Sequence, residues 1–169
     1  KQGGKVVEDW LSGNEMNHLY RNNVHQLKCD VFIPGGGRPK TLNEGNYQTF
    51  LDAEGAPTAK AIIEGANLYL TPAARLALEK LGVLVFKDSS CNKGGVICSS
   101  FEVLGSLCMS EEEFVREKDQ YVKEVLEIIG KAAFKEARLL LSTHQTTGAY
   151  LTDLSDQISA RINKSEERR

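Results

Sequence analysis

Three short apolar runs, each followed directly by a polar segment, constrain the fold of this chain most strongly. They cover residues 27–33, 61–63 and 83–86. Each run has the length of a strand, and a helical pattern follows each of them. Continuous apolar strands that alternate with helices are typical of a parallel sheet that is covered on both faces. We therefore predict a three-layer α/β fold built on half of a doubly wound parallel sheet.

Local signals place helices between and after these strands. Residues 43–51 are predicted to form a short helix, with Thr41 and Glu44 in the spacing of a capping box. The pair Thr71-Pro72 predicts an N-cap and the first residue of the next helix. A third, apolar helix is expected over residues 96–108.

The last third of the sequence is helical in its pattern. Ser110 and Glu113 have the spacing of a capping box, and apolar residues between 122 and 140 then recur with a helical period. Gly148 interrupts the pattern, and residues 151–162 form a last amphipathic segment. The half-sheet should therefore be followed by C-terminal helices.

Charge and composition exclude several classes of partner. The formal net charge is −2 and the isoelectric point is near 6.0, so no basic excess is available to bind nucleic acid or an anionic membrane. No apolar run reaches the roughly 18–20 residues of a membrane span.

The four cysteines lack the spacing of a metal site, and we expect reduced thiols that lie mostly in the core. Reduced thiols favour the cytoplasm or an organelle matrix, and we expect a cytoplasmic location.

Polar segments at 34–39, 64–67 and 88–95 follow the three predicted strands. In open parallel sheets, ligands bind outside the carboxyl ends of the strands, so we expect these segments to line one site. Asn67 and Asn92 each carry an amide that both donates and accepts hydrogen bonds, which suits a carboxamide or a ribose hydroxyl.

The carboxylates at the strand ends leave two interpretations open. Glu64 and Asp88 could each act as a general base by position, or could orient the backbone. Ser99 and Ser100 lie one turn into the predicted apolar helix, where a hydroxyl could donate to a carboxylate. No strand is followed by the G-x-G-x-x-G pattern of a pyrophosphate-binding loop.

The three segments resemble those of glutamate dehydrogenase. The stretches that carry the resemblance are 30–39 (DVFIPGGGRP), 64–72 (EGANLYLTP) and 87–96 (KDSSCNKGGV). They are most similar to the large-subunit, NAD-specific class of that family. Gly35 is a departure, because a cysteine is expected there in that class.

The resemblance implies roles for particular residues. Gly35 and Gly36 would shape the loop beside the nicotinamide half of NAD, Asn67 would bind the nicotinamide-side ribose, and Asn92 would contact the carboxamide. The substrate-binding residues implied are Val96, which would line the pocket, and Ser99, which would donate to the distal carboxylate of glutamate. The resemblance implies no catalytic acid or base and no metal ligand in this chain.

The resemblance also implies the organisation of a parent protein. Residues 1–109 would be the second half of a Rossmann-like NAD-binding domain, and residues 110–169 a C-terminal helical extension. The substrate domain and the first Rossmann half would belong to the rest of the parent chain. The sequence starts at Lys1 without Met or a signal region, which also indicates a piece of a longer protein.

The parent is expected to be an oxidoreductase that deaminates L-glutamate to 2-oxoglutarate and ammonia with NAD. It is expected to be a homo-oligomer, and the isolated chain is expected to be inactive. The alternative is a non-catalytic nucleotide-binding or regulatory module that retains the half-fold. A relative that acts on branched-chain or aromatic amino acids is a weaker third reading, because an apolar side chain gives the Ser99 hydroxyl nothing to bind.

Overall fold

The three predicted strands form one parallel sheet, which confirms the α/β half-fold. The structure is a computed structural model, and it describes residues 10–21, 23–36 and 38–166. Its strands are β1 (Val31–Phe32), β2 (Ala61–Ile63) and β3 (Leu84–Phe86). They lie in the order β1-β2-β3, and both pairings are parallel. All three strands therefore end at the same edge of the sheet.

Helices make up most of the remaining described chain. The α-helices are α1 (Gly13–Met16), α2 (Pro72–Lys80), α3 (Asp88–Cys91), α4 (Gly94–Cys108), α5 (Glu111–Thr147) and α6 (Leu151–Glu166). Shorter turns are a π-helical turn at Asn17–Arg21 and 3-10 turns at Val24–Gln26 and Tyr47–Phe50.

The predicted helix ends are confirmed where a capping signal exists. Thr71 is the N-cap of α2, and its hydroxyl accepts a hydrogen bond from the Ala74 N–H. Ser110 and Glu113 form the reciprocal capping box of α5. Gly148 ends α5 with a φ of 69°, a left-handed conformation that glycine adopts without strain.

Two apolar clusters explain why the sheet is covered on both faces. Val85 belongs to a cluster that also contains Ile62 of β2 and Leu78 of α2. Its strand neighbours Leu84 and Phe86 pack instead on the second cluster, which contains Leu140 of α5 and Leu151 and Leu154 of α6. Successive strand residues point to opposite faces, so β3 lies between two helical layers.

The predicted helix over residues 43–51 is wrong. Only a 3-10 turn forms there, because two asparagine side chains bind the local backbone. Asn46 Oδ1 accepts from Asn43 N at 2.7 Å, and Asn43 Oδ1 accepts from Gly45 N at 2.9 Å. Such bonds compete with the bonds of a helix. Glu44 accepts from the Thr71 hydroxyl, so it does not complete a capping box with Thr41.

Three further expectations need correction. The first strand is only two residues long, and Ile33 beyond it is 61% exposed, since β1 lies at the end of the strand order. The polar stretch after β3 contains a helical turn, α3, and α4 begins at Gly94, two residues earlier than predicted. The cysteines are not mostly in the core, because Cys91 is half-buried and the other three are exposed.

Glu79, near the end of α2, caps the first turn of α6. It is buried, and its carboxylate accepts from Thr152 N at 3.1 Å and from Thr152 Oγ1 at 2.5 Å. Burial raises the pKa of Glu79 above its ordinary value of 4.5, although the bonds from Thr152 act in the opposite direction. Burial of the Glu79 charge thus outweighs the bonds from Thr152, so ionising this carboxyl costs more in the folded chain than in the unfolded chain.

We predict that the net contribution of Glu79 to stability falls as the pH rises. The folded chain binds the Glu79 proton more tightly than the unfolded chain, so the contribution of Glu79 to the free energy of unfolding is largest below pH 4.5 and falls as the pH passes the raised pKa. Urea unfolding between about pH 4 and pH 8 measures the free energy of unfolding of the wild-type chain and of Glu79→Gln. The wild-type value should fall relative to the Glu79→Gln value as the pH rises. A difference that does not change with pH would contradict the prediction.

Candidate functional site

Asn67 and Asn92 meet at the carboxyl edge of the sheet. Asn67 follows β2 and Asn92 is the C-cap of α3, and Asn92 Nδ2 donates to Asn67 Oδ1. Both side chains line an open cavity of about 530 Å³. Its other lining residues come from α4 and are Gly95, Val96, Ser99, Ser100 and Val103. The loop after β2, α3 and α4 therefore bring five of the residues named from the sequence into one cavity: Asn67, Asn92, Val96, Ser99 and Ser100.

Gly35 and Gly36 line a different cavity. It has a volume of about 360 Å³, and Phe32, Ile33, Pro34, Tyr69 and Val24 complete its lining. The loop after β1 still contacts the loop after β2, because Ala66 N donates to Pro34 O at 2.7 Å. A Cβ on Gly65 would lie 3.2 Å from the same oxygen, so a larger residue here would push the two loops apart by a few tenths of an ångström. Gly37, also part of the predicted convergence, lies outside the described residues.

The start of α4 presents two serines with different environments. Ser100 Oγ donates to Val96 O at 3.0 Å, within its own helix. The Ser99 hydroxyl has no hydrogen-bond partner within the described part of the chain. Val96 is 73% exposed on the same helix. Of the two hydroxyls, only that of Ser100 is bonded within its own helix.

Glu64 and Asp88 lie in a buried ion cluster with Arg75. Their exposed fractions are 0%, 8% and 4%. Arg75 Nε donates to Glu64 Oε2 at 2.7 Å and Nη2 donates to Glu64 Oε1 at 3.1 Å. The same Nη2 lies 3.3 Å from Asp88 Oδ1. One guanidinium thus joins the carboxylates that follow two neighbouring strands.

Both carboxylates of this cluster also bind backbone. Glu64 Oε1 accepts from Leu70 N at 3.0 Å. Asp88 Oδ2 accepts from Leu68 N at 2.9 Å, and Asp88 Oδ1 accepts from Ser89 N at 2.8 Å. Of the two interpretations left open by the sequence, the geometry favours backbone orientation over general base.

Arg75 is the residue that the sequence reasoning missed. It stands in α2, eleven residues after Glu64, and no local pattern marks it. A signal did exist, because two carboxylates that end buried strands need a cation nearby. Arg75 is positioned for this role because Thr71 and Pro72 begin α2 directly after the loop that contains Asn67.

The segment that carries Asn92 is also tied to the C-terminal helices. Ser90 Oγ lies 2.6 Å from Ser155 Oγ of α6, and Lys87 pairs with Asp156. Lys93 Nζ contacts Glu136 of α5 at 2.8 Å. The position of Asn92 therefore depends on both the sheet and the long helices.

Neither a metal cluster nor a membrane-spanning helix is found in residues 10–21, 23–36 and 38–166. No group of three or more potential metal ligands occurs there, and no helix in these ranges is long and apolar enough to cross a bilayer. His25 and Cys29 are four residues apart, a spacing that metal ligands on a helix can have. His25 Nε2 contacts the Thr49 hydroxyl at 2.7 Å.

Comparisons with known proteins define the class to which this fold and site belong. The profile of the Glutamate/Leucine/Phenylalanine/Valine dehydrogenase family matches residues 1–161. The chain therefore belongs to this family.

Individual relatives agree with the family match. The chain is 37% identical to "Glutamate dehydrogenase 2" of Dictyostelium discoideum over 95% of its own length and 16% of that protein. It is 39% identical to the "NAD-specific glutamate dehydrogenase" of Saccharomyces cerevisiae, over 86% of the chain and 15% of that protein. A "Glutamate dehydrogenase" of Thermotoga maritima is 36% identical over 75% of the chain and 28% of that protein. The chain thus spans about one sixth of the length of the first two relatives.

Cys91 lies beside Asn92, and its thiol is held in the protonated form. Its Sγ donates to Phe86 O at 3.4 Å. Burial, and next the charge of Glu64, raise the pKa of the Cys91 thiol to about 11. The thiol therefore stays protonated at neutral pH.

We predict that Cys91 resists alkylation in the folded chain. At pH 8, a thiol with this pKa is ionised in roughly one molecule in a thousand. Iodoacetamide should modify the exposed cysteines, Cys29, Cys98 and Cys108, at least about 100-fold faster than Cys91. Mass spectrometry of timed samples reports each rate, and urea-unfolded chain is the control in which all four should react alike. Comparable rates in the folded chain would contradict the burial of this thiol.

Proposed function

We propose that the full-length protein carrying this chain oxidises L-glutamate with NAD to 2-oxoglutarate and ammonia. In this proposal, the chain supplies the contacts to the nicotinamide side of the cofactor and part of the substrate pocket. The observation that carries the proposal is the cavity that Asn67 and Asn92 share with Ser99. Membership of the dehydrogenase family, and the names of its relatives, support the same reaction class.

The asparagine pair suits a primary carboxamide. Asn92 Nδ2 donates only one of its two N–H groups to Asn67 Oδ1. Asn92 therefore keeps an N–H and its Oδ1 for a carboxamide, and Asn67 keeps the N–H groups of Nδ2 for a ribose hydroxyl. A carboxamide such as that of nicotinamide offers the matching acceptor and donor. The cavity of about 530 Å³ is open to solvent and has room for one end of a dinucleotide.

NAD, when bound, supplies the hydride acceptor. The residues of this chain would bind the nicotinamide end of NAD and orient it. Asn67 and Asn92 would hold the nicotinamide ribose and the carboxamide. Gly35 and Gly36 would shape the adjacent loop. A Cβ added to either glycine would have no contact within 4 Å, so both glycines face open space. Proton transfer is assigned to residues outside this chain, since Glu64 and Asp88 are bound to Arg75.

The substrate pocket would begin on α4. Val96 would contact the aliphatic part of the substrate, and the Ser99 hydroxyl would donate to the distal carboxylate. Selection of glutamate over an apolar amino acid follows, because an apolar side chain gives this hydroxyl no acceptor.

The remaining parts of the proposal concern organisation. Residues 1–109 would be the second half of the coenzyme domain and residues 110–169 the helical extension, joined to the substrate domain and the first Rossmann half of the same protein. Exposed apolar side chains on α4 and α5, among them Leu107, Leu126 and Phe134, support assembly into a homo-oligomer. The free thiols support a reducing, cytoplasmic location.

The proposal predicts a specific effect of Ser99→Ala in the full-length protein. A hydrogen bond to a charged group contributes about 1.5–3 kcal/mol, so kcat/KM for glutamate should fall by about 10- to 150-fold while the KM for NAD changes little. Initial rates of NADH formation over a range of glutamate concentrations measure this.

Ser100→Ala is the matched control, because this hydroxyl is already bonded within its helix. If both variants keep the glutamate KM of the wild type, the substrate role of α4 is wrong. Binding of NADH by a wild-type protein that does not turn over glutamate would support the non-catalytic module instead.

A further inference from the structure

We propose that Arg75 is a positioning residue of the coenzyme site, which holds Asn67 and Asn92 at the spacing needed to bind the nicotinamide end of NAD. The inference rests on the proposed function and deepens it. Arg75 itself is buried and is not among the residues that line the cavity, so it would act through Glu64 and Asp88.

The first connection runs from Arg75 to Asn67. Asp88, which Arg75 contacts, accepts from the backbone N–H of Leu68, the neighbour of Asn67. Leu68 has a φ of 53°, a left-handed conformation that a leucine rarely adopts. Its side chain is 54% exposed, so packing contributes little to holding this conformation. The bond to Asp88, together with Lys40 N donating to Leu68 O at 2.7 Å, keeps the loop in place.

The second connection runs from Arg75 to Asn92. Asp88 is the first residue of α3, and its backbone oxygen accepts from Asn92 N at 2.9 Å. The Asp88 side chain thus sets the loop of Asn67, while its backbone sets the position of Asn92. A single residue, Asp88, whose carboxylate Arg75 contacts, is therefore connected to both halves of the asparagine pair.

The chemistry of this position requires an arginine. Glu64 and Asp88 are two buried carboxylates that would repel each other without a cation between them. The guanidinium is planar and always charged, and it reaches Glu64 through two nitrogens and Asp88 through one of the same two. A lysine ammonium provides the charge but not this fork.

The test is NADH binding by the full-length protein, followed by fluorescence titration. Arg75→Met keeps the length of the side chain and removes the charge, and Arg75→Lys restores the charge without the fork. Glu79→Gln is the matched control, because Glu79 is also buried in α2, one turn further along, but contacts α6 instead of the site. Hydrogen exchange of the segments 64–70 and 87–93 is measured on the same proteins.

The expected result is a dissociation constant for NADH that rises at least about tenfold in Arg75→Met and by a smaller factor in Arg75→Lys, the effect of losing one good hydrogen bond to the ligand. Exchange in the two segments should accelerate in Arg75→Met. Glu79→Gln should change neither quantity, even where it alters the melting temperature. Asp88→Asn provides the same test should Arg75→Met not fold, since it weakens the pairing with Arg75 at nearly unchanged volume.

Two results would overturn the inference, and they differ from each other. A folded Arg75→Met protein that binds NADH within twofold of the wild type would refute the positioning role and leave the proposed function standing. A wild-type protein that does not bind NADH would refute the proposed function, and this inference with it.

Discussion

The ion cluster of Glu64, Arg75 and Asp88 is the interaction on which the carboxyl edge of the sheet depends. Two carboxylates follow neighbouring parallel strands and are almost completely buried. Burial of such charges is tolerated only where they are paired and their remaining lone pairs are bonded. Here α2 places Arg75 between the two carboxylates. Backbone N–H groups of the adjoining loop donate to both carboxylates as well. The pairing of both carboxylates with Arg75 therefore also sets the geometry of the candidate site.

The long C-terminal helices complete the arrangement from the other face. Leu140, Leu151 and Leu154 pack against β3, and α5 and α6 also contact the polar segment that carries Asn92 through Glu136 and Ser155. The half-sheet and the C-terminal helices therefore share the second apolar cluster, on one face of β3. The asparagine pair lies where the two parts meet, supported by the ion cluster on one side and by the helices on the other.

The elements predicted correctly are those specified by nearby residues. Short apolar runs predicted β2 and β3, and Thr71 and Ser110 predicted helix starts, because capping is a local interaction. The helix over residues 43–51 was predicted from a capping pattern that Asn43 and Asn46 override. The meeting of Asn67 and Asn92 followed from parallel topology alone. Arg75 could not be predicted with the same rules, since its role depends on two residues on separate strands.

The most direct test of the account is a structure of the full-length protein with NADH bound. We predict that the nicotinamide carboxamide lies within hydrogen-bond distance, about 2.7–3.2 Å, of the Asn92 side chain, and that Asn67 contacts the adjoining ribose. Glu64, Arg75 and Asp88 should keep the arrangement described here. A nicotinamide ring bound at the opposite edge of the sheet, or far from both asparagines, would contradict it.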